Sequence, residues 1–237
     1  TFIMSKYYNP TRSEDWNYGG KNWKLSRSKL ELFMECPKCF YIDNKLGTKR
    51  PPGYPFTINS AIDFLLKKEF DIHRANGDPH PLIEEYGVDA RPVEHEKIDV
   101  WRENFKGVQV DHEKTGMRIT GAIDDLWINS EDEYIVVDYK ATALNEEITE
   151  LTKDYHEGYK RQMDIYQWLL RQNGLKVSDT GYFVYANGIT DKKAFDGKLE
   201  FDVTLIAYEG DDSWVEEAII DAHKCLEADS IPEAGPD

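Results

Sequence analysis

Cysteine is scarce in this chain of 237 residues: three in all, an odd number that argues against a disulfide framework and for a reducing setting. Residues 1–18 lack the basic, apolar and small-residue succession of a signal peptide, so a cytoplasmic protein is expected. No apolar run approaches the roughly 20 residues needed to span a bilayer, which excludes a spanning helix. There is no G-x-x-x-x-G-K-[ST] and no G-x-S-x-G, so a P-loop and a nucleophile elbow are excluded. The six histidines form neither H-E-x-x-H nor H-x-x-E-H, which removes zinc-hydrolase chemistry; His95 and His112 are expected at the surface. Basic residues are also few, 29 Lys plus Arg against 45 Asp plus Glu, for a formal net charge of −16. That balance disfavours tight, nonspecific binding to a polyanion. Net charge governs solubility and long-range steering, however, and does not forbid a local basic stripe. Lys45, Lys49, Arg50, Lys160 and Arg161 are the candidates for one.

What is present is the material of a globular domain: 40% hydrophobic and 13% aromatic residues. Residues 1–24 show no periodicity and read as an irregular arm, with one domain over 25–237. Ser26 or Ser28 caps an expected helix over 29–39, where Leu30, Phe33 and Met34 recur at helical spacing. A Pro- and Gly-rich loop over 47–55 precedes a second helix over 60–76. A further helical region is expected at 93–105. Strands are predicted over 117–129 and 134–142, joined by a turn at 129–133. A long helix over 154–172 stops at Asn173-Gly174; strands at 181–186 and 199–207 and a helix at 213–228 complete the chain. Helices, a hairpin, then helix and strand predict an α/β fold with a mixed sheet flanked by helices.

The chemistry concentrates in the hairpin. Side chains at i and i+2 of a strand share a face, so Asp138 and Lys140 point the same way. With the turn centred near Glu131, Asp124 and Asp138 fall opposite one another, about 4.5–5.5 Å apart at Cβ. Two carboxylates there repel unless a cation lies between them, and Mg²⁺ suits such a site because it takes a few carboxylates and keeps waters. An ammonium at Lys140 can orient an attacking hydroxide or offset charge developing in the transition state, which fits phosphodiester hydrolysis. Taken alone, Asp-x-Lys on a strand is a common solvated pair of small worth. Asp125 alternates to the opposite face and reads as structural.

Gly121-Ala-Ile-Asp124, Ile135–Lys140 and Gln162-Met-Asp-Ile-Tyr166 follow in order, and Gln162 and Tyr166 share a helix face. In these motifs the sequence resembles the PD-(D/E)XK nuclease superfamily, particularly its RecB-like branch and the CRISPR-associated exonucleases, over roughly residue 25 to the end. The resemblance implies a restriction-endonuclease-like core and Mg²⁺ or Mn²⁺ as cofactor. It implies a site of Asp124, Asp138, Lys140, Gln162 and Tyr166, and adds the backbone carbonyl of Tyr139 as a metal ligand.

Two departures stand out. Where that branch carries a histidine in a G-x-x-x-H setting, this chain has Asn59-Ser-Ala-Ile-Asp63; Asp63 takes the histidine's place and, as a hard oxygen donor, is a candidate Mg²⁺ ligand or else a polar helix residue. Cys36-Pro-Lys-Cys39 matches the family's opening helix, whose Cys-Pro supplies one ligand of a four-cysteine iron–sulfur cluster. With only Cys225 besides, a cluster is not expected in this chain, and a lone C-x-x-C is a weak zinc signal.

The functional expectation is a Mg²⁺- or Mn²⁺-dependent deoxyribonuclease, exonuclease-like, acting on single strands or ends. The alternative is a non-catalytic nuclease-fold module in a DNA-repair or CRISPR-adaptation complex, favoured by the acidic charge and the replaced histidine. A sugar-phosphate or nucleotide hydrolase shares the same chemistry at phosphorus.

Overall fold

The structure, a computed structural model, describes residues 9–51, 53 and 57–235. The expected loop at 47–55 and the expected N-terminal arm therefore lie partly outside the described residues. Along the chain run β1 (Leu25–Ser26), α1 (Arg27–Glu35), α2 (Pro37–Asn44), α3 (Thr57–Asn76), α4 (Pro81–Glu85) and β2 (Arg91–Pro92). Next come α5 (Ile98–Trp101), β3 (Val108–Asp111), β4 (Arg118–Gly121), β5 (Asp125–Ile128) and β6 (Tyr134–Thr142). The chain continues through α6 (Glu157–Gln172), β7 (Thr180–Gly188), β8 (Phe201–Glu209) and α7 (Val215–Glu227). Among the described residues no helix is long and apolar enough to cross a membrane.

The chain divides into two compact units. One draws on the residues before α3, on Val110–Thr120 and on the segment from 213 onward. Its helices α1, α2 and α7 pack on one another, with Leu30, Phe40, Ile219 and Leu226 buried. The expected single helix over 29–39 is broken at Cys36. Proline disfavours helical backbone in the residue before it, and Cys36 is extended (φ −156, ψ 94). Pro37 then opens α2, whose first turn is capped by the Cys36 sulfur accepting from the Cys39 N–H at 3.2 Å. Cys36, Cys39 and Cys225 are free thiols. His112, expected at the surface, is buried in this unit, where it pairs with Glu216 at 3.1 Å and Thr115 at 2.8 Å.

The other unit, which holds 57–109 and Gly121–Asp212, is built on a five-stranded sheet of order β2-β5-β6-β7-β8. β6 and β7 are parallel, and the remaining neighbours are antiparallel. The long crossover needed between parallel strands is α6. The fold is thus mixed α/β, a mixed sheet flanked by helices, as in a restriction-endonuclease-like core. Residues of β6 alternate between two faces. Val137 and Tyr139 join Phe70 of α3, Trp127 and Val184 in a buried cluster, with Phe70 stacked on Trp127 and Tyr139 at ring separations of 5.4 and 5.7 Å. Asp138 points to the other face, where Gln162 of α6 meets it.

Two expectations need correction in this unit. The helix expected over 93–105 contracts to α5, and His95 is half-buried, stacked on Trp101 at 4.3 Å. The strand expected over 117–129 is interrupted: β4 ends at Gly121 and β5 begins at Asp125, so Asp124 stands on a bend just before its strand.

Candidate active site

The site is assembled where β5 begins beside β6. Their register pairs Ile128 with Tyr134 and Asp125 with Val137, centred on Glu131 as the turn residues predict. One step further, Asp124 comes level with Asp138. β5 pairing stops at Val137, which leaves the β6 edge beyond it without a β5 partner. The Asp124 side chain takes that place: its carboxylate accepts the backbone N–H of Tyr139 at 3.0 Å. In a strand the N–H and C=O of one residue point to the same side, so the Tyr139 carbonyl faces the same open edge.

Asp124 is held in position from behind by its neighbour. Asp125 is fully buried and receives Arg102 at 2.6 Å, Tyr139 Oη at 2.8 Å, the Trp127 indole at 3.3 Å and Arg74 of α3. Burial raises the Tyr139 hydroxyl pKa well above its ordinary value, and the Asp125 charge adds to the shift. The phenol therefore stays a donor to Asp125. This network ties α3 to the start of β5 and confirms the structural reading of Asp125. Gly121 has its own reason. A Cβ there would lie 2.7 Å from Tyr166 Cε1 and 2.9 Å from Leu169 Cδ1, so only glycine fits this close to α6.

On the α6 face, Asp138, Lys140, Gln162 and Tyr166 form one hydrogen-bonded chain. Asp138 is fully buried and pairs with the Lys140 ammonium. Gln162 donates to Asp138 at 2.6 Å and to Tyr166 Oη at 3.1 Å, while its carbonyl accepts from Lys140 at 3.3 Å. Lys140 Nζ also lies 4.4 Å from the centre of the Tyr159 ring, a cation–π contact. Burial raises the Tyr159 pKa.

On the α3 face the chain brings Asp63 to Asp124 through a residue that the sequence reading passed over. Lys67 Nζ lies 2.8 Å from Asp63 and 3.2 Å from Asp124. The Asp63–Lys67 spacing of four on a helix was the available signal. Burial and the nearby Asp124 charge raise the Asp63 carboxyl pKa, with the Lys67 contacts opposing them. Burial works against the Lys67 charge, yet Asp124 and Asp63 outweigh it and hold its pKa above the ordinary lysine value. Asn59, one turn earlier, donates to the Ala141 carbonyl at 3.0 Å and anchors α3 to β6. A cavity of about 110 Å³ opens here, lined by Asn59, Ile62, Asp63, Tyr139, Lys140 and Tyr159, among others.

Asp124 and Asp138 each stand beside a lysine, Lys67 and Lys140 respectively. Among the described residues no group of three or more His, Cys, Asp or Glu side chains is arranged as a metal centre. The donor chemistry nevertheless suits a hard cation: Asp63 and Asp124 offer carboxylate oxygens that already converge on one positive charge. Of the expected basic stripe, Lys160 pairs with Glu157 at 2.6 Å and Lys45 donates to the Ala228 carbonyl at 2.9 Å. Those two lysines belong to different units.

No curated protein matches the chain. A solved structure described as "Crystal structure of SSO0001" aligns at 14% identity and a TM-score of 0.39, covering 90% of this chain and 77% of that one. That similarity is too low to bear on function. The model of the PD-(D/E)XK nuclease superfamily matches residues 80–225, a span that contains Asp124, Asp138, Lys140, Gln162 and Tyr166 but not Asp63. With more than half of its length matched, the chain belongs to the PD-(D/E)XK nuclease superfamily.

Proposed function

We propose that this protein is a Mg²⁺- or Mn²⁺-dependent deoxyribonuclease, exonuclease-like, that hydrolyses phosphodiester bonds in single-stranded DNA or at DNA ends. The observation that carries this reading is the juxtaposition of Asp124, bound to the Tyr139 N–H, with the buried Asp138–Lys140–Gln162 chain. Nucleases of this superfamily generally use divalent metals, and Asp124, Asp138, the Tyr139 carbonyl and Asp63 are the oxygens that would hold one. Such a cation would supply Lewis acidity at the scissile phosphate and additional positive charge for a polyanionic substrate.

This chain's own residues supply the placement. The Lys140 ammonium stands beside Asp138, where it can hold an attacking water or offset charge developing on the phosphoryl oxygens. Gln162 fixes both partners of that pair from a helix, with Tyr166 behind it. The −16 net charge counts less at this point, because two carboxylates of the site are already offset by Lys67 and Lys140.

Assays of labelled single-stranded, linear duplex and circular DNA, RNA and a small phosphodiester, each with Mg²⁺, Mn²⁺ or chelator, test the proposal. Metal-dependent loss of single-stranded or end-labelled DNA supports it; inertness toward every nucleic acid refutes it. A second reading, a non-catalytic nuclease-fold module serving a DNA-repair or CRISPR-adaptation complex, draws on the Lys67 contacts, which satisfy Asp63 and Asp124 without a metal. Absence of Mn²⁺ binding in a calorimetric titration favours that module.

A further inference from the structure

We propose that Lys67 is a resident cation which a divalent metal has to displace, and that it therefore sets the metal affinity of this site. The inference rests on the reading of Asp63 and Asp124 as metal-facing oxygens. Its geometry is steric as well as electrostatic. Lys67 Nζ stands 2.8 Å from Asp63 and 3.2 Å from Asp124. A Mg²⁺ ion would stand about 2.0–2.1 Å from its oxygen ligands. All four oxygens of the pair are already engaged: both oxygens of Asp63 contact Nζ, at 2.8 and 2.9 Å, while Asp124 Oδ1 contacts Nζ and its Oδ2 accepts the Tyr139 N–H, so a metal ion taking these carboxylates has to move the ammonium.

The helix makes Lys67 a standing occupant. Asp63 and Lys67 are one turn apart on α3, the acid on the N-terminal side, the favourable orientation for such a pair. Asp124 comes from 57 residues further along the chain, so the ammonium bridges two elements rather than decorating one helix. The Lys67 side chain is 19% exposed. Its four-carbon stem gives the ammonium a route outward once a divalent ion, with twice the charge, competes for the same oxygens. Lys140 has no equivalent role, since it pairs with Asp138 and Gln162 on the α6 face.

Calorimetric titration of the full chain with Mn²⁺, comparing wild type with Lys67→Met, tests this directly. The expected result is binding at least about tenfold tighter in Lys67→Met, equivalent to about 1.4 kcal/mol. Equal or weaker binding by a folded Lys67→Met protein overturns the proposal, as does the absence of binding in both. A measurement on the wild type alone guards against a variant that does not fold. Mild acylation read by peptide mass spectrometry should label Lys67 faster when Mg²⁺ is added, while Lys38 is unaffected. An unchanged Lys67 rate overturns the proposal. The two readings fail separately: tighter Mn²⁺ binding by Lys67→Met with no DNA cleavage by the wild type sinks the nuclease alone, and wild-type cleavage with unchanged Mn²⁺ affinity in Lys67→Met sinks the role of Lys67 alone.

Discussion

Asp124 and Asp125 are neighbours in sequence with opposite tasks. The Asp124 carboxylate reaches over the strand edge to the Tyr139 N–H at 3.0 Å, while the Asp125 carboxylate is fully buried and accepts the Tyr139 hydroxyl at 2.8 Å. One residue, Tyr139, is therefore gripped at its backbone and at its ring by two consecutive aspartates. The position of Asp124 follows from the burial of Asp125, and its reach along β6 follows from the start of β5 pairing at Asp125–Val137.

Gly121→Ala should be destabilising. The added methyl meets Tyr166 and Leu169, both buried and closely packed, so neither can move aside at low cost. Overpacking of this kind costs about 1–3 kcal/mol, measurable as a lower denaturant midpoint. A midpoint equal to that of wild type would show that α6 can shift.

Asp125→Ala should be among the most damaging single changes in this unit. It leaves the Arg74 and Arg102 guanidiniums without their buried counter-ion and removes the partner of the Tyr139 hydroxyl. Breaking a buried pair by deleting one partner costs about 3–5 kcal/mol. Equilibrium unfolding in urea reads the loss, and a change under 1 kcal/mol, roughly the worth of a surface pair, contradicts the network described.

Asp71 provides a pH test away from the site. Burial pushes its carboxyl upward, but hydrogen bonds from Arg102 and Arg74 together with their charges hold it below its ordinary value. A carboxylate depressed in the folded state contributes stability above its unfolded pKa and loses that contribution as pH falls through the folded one. Asp71→Asn is therefore expected to lower the unfolding midpoint at neutral pH, and the gap to wild type should close below the ordinary carboxylate range. A gap independent of pH would show that the charge of Asp71 is not what matters.

Much of this arrangement was legible in the sequence because it is local. The turn residues at 129–133 fix a register centred on Glu131, and alternation then places Asp138 and Lys140 on one face and Asp125 on the other. Gln162 and Tyr166 are one helical turn apart, so their contact follows from spacing. The interruption before Asp124 was not legible, because the residues of 117–129 carry no Pro and no turn signal at 122–124. Lys67 was missed for a related reason: its second partner is 57 residues away, and no periodicity reports a contact at that separation. The burial of His112 depends likewise on Glu216, on a distant helix of its own unit. The break of the first helix at Cys36 could have been read from Pro37 alone.

The most direct test of the proposed nuclease site is the rate of Mg²⁺-dependent cleavage of single-stranded DNA by wild type, Asp124→Asn and Lys140→Ala, with circular dichroism confirming the fold. Asp124→Asn keeps an oxygen to accept the Tyr139 N–H, removes the charge and replaces the oxygen facing Lys67 by an amide NH2. Both variants are predicted to lose at least about 100-fold in rate, the scale of removing one transition-state-stabilising group. Cleavage by both folded variants at the wild-type rate would contradict the site.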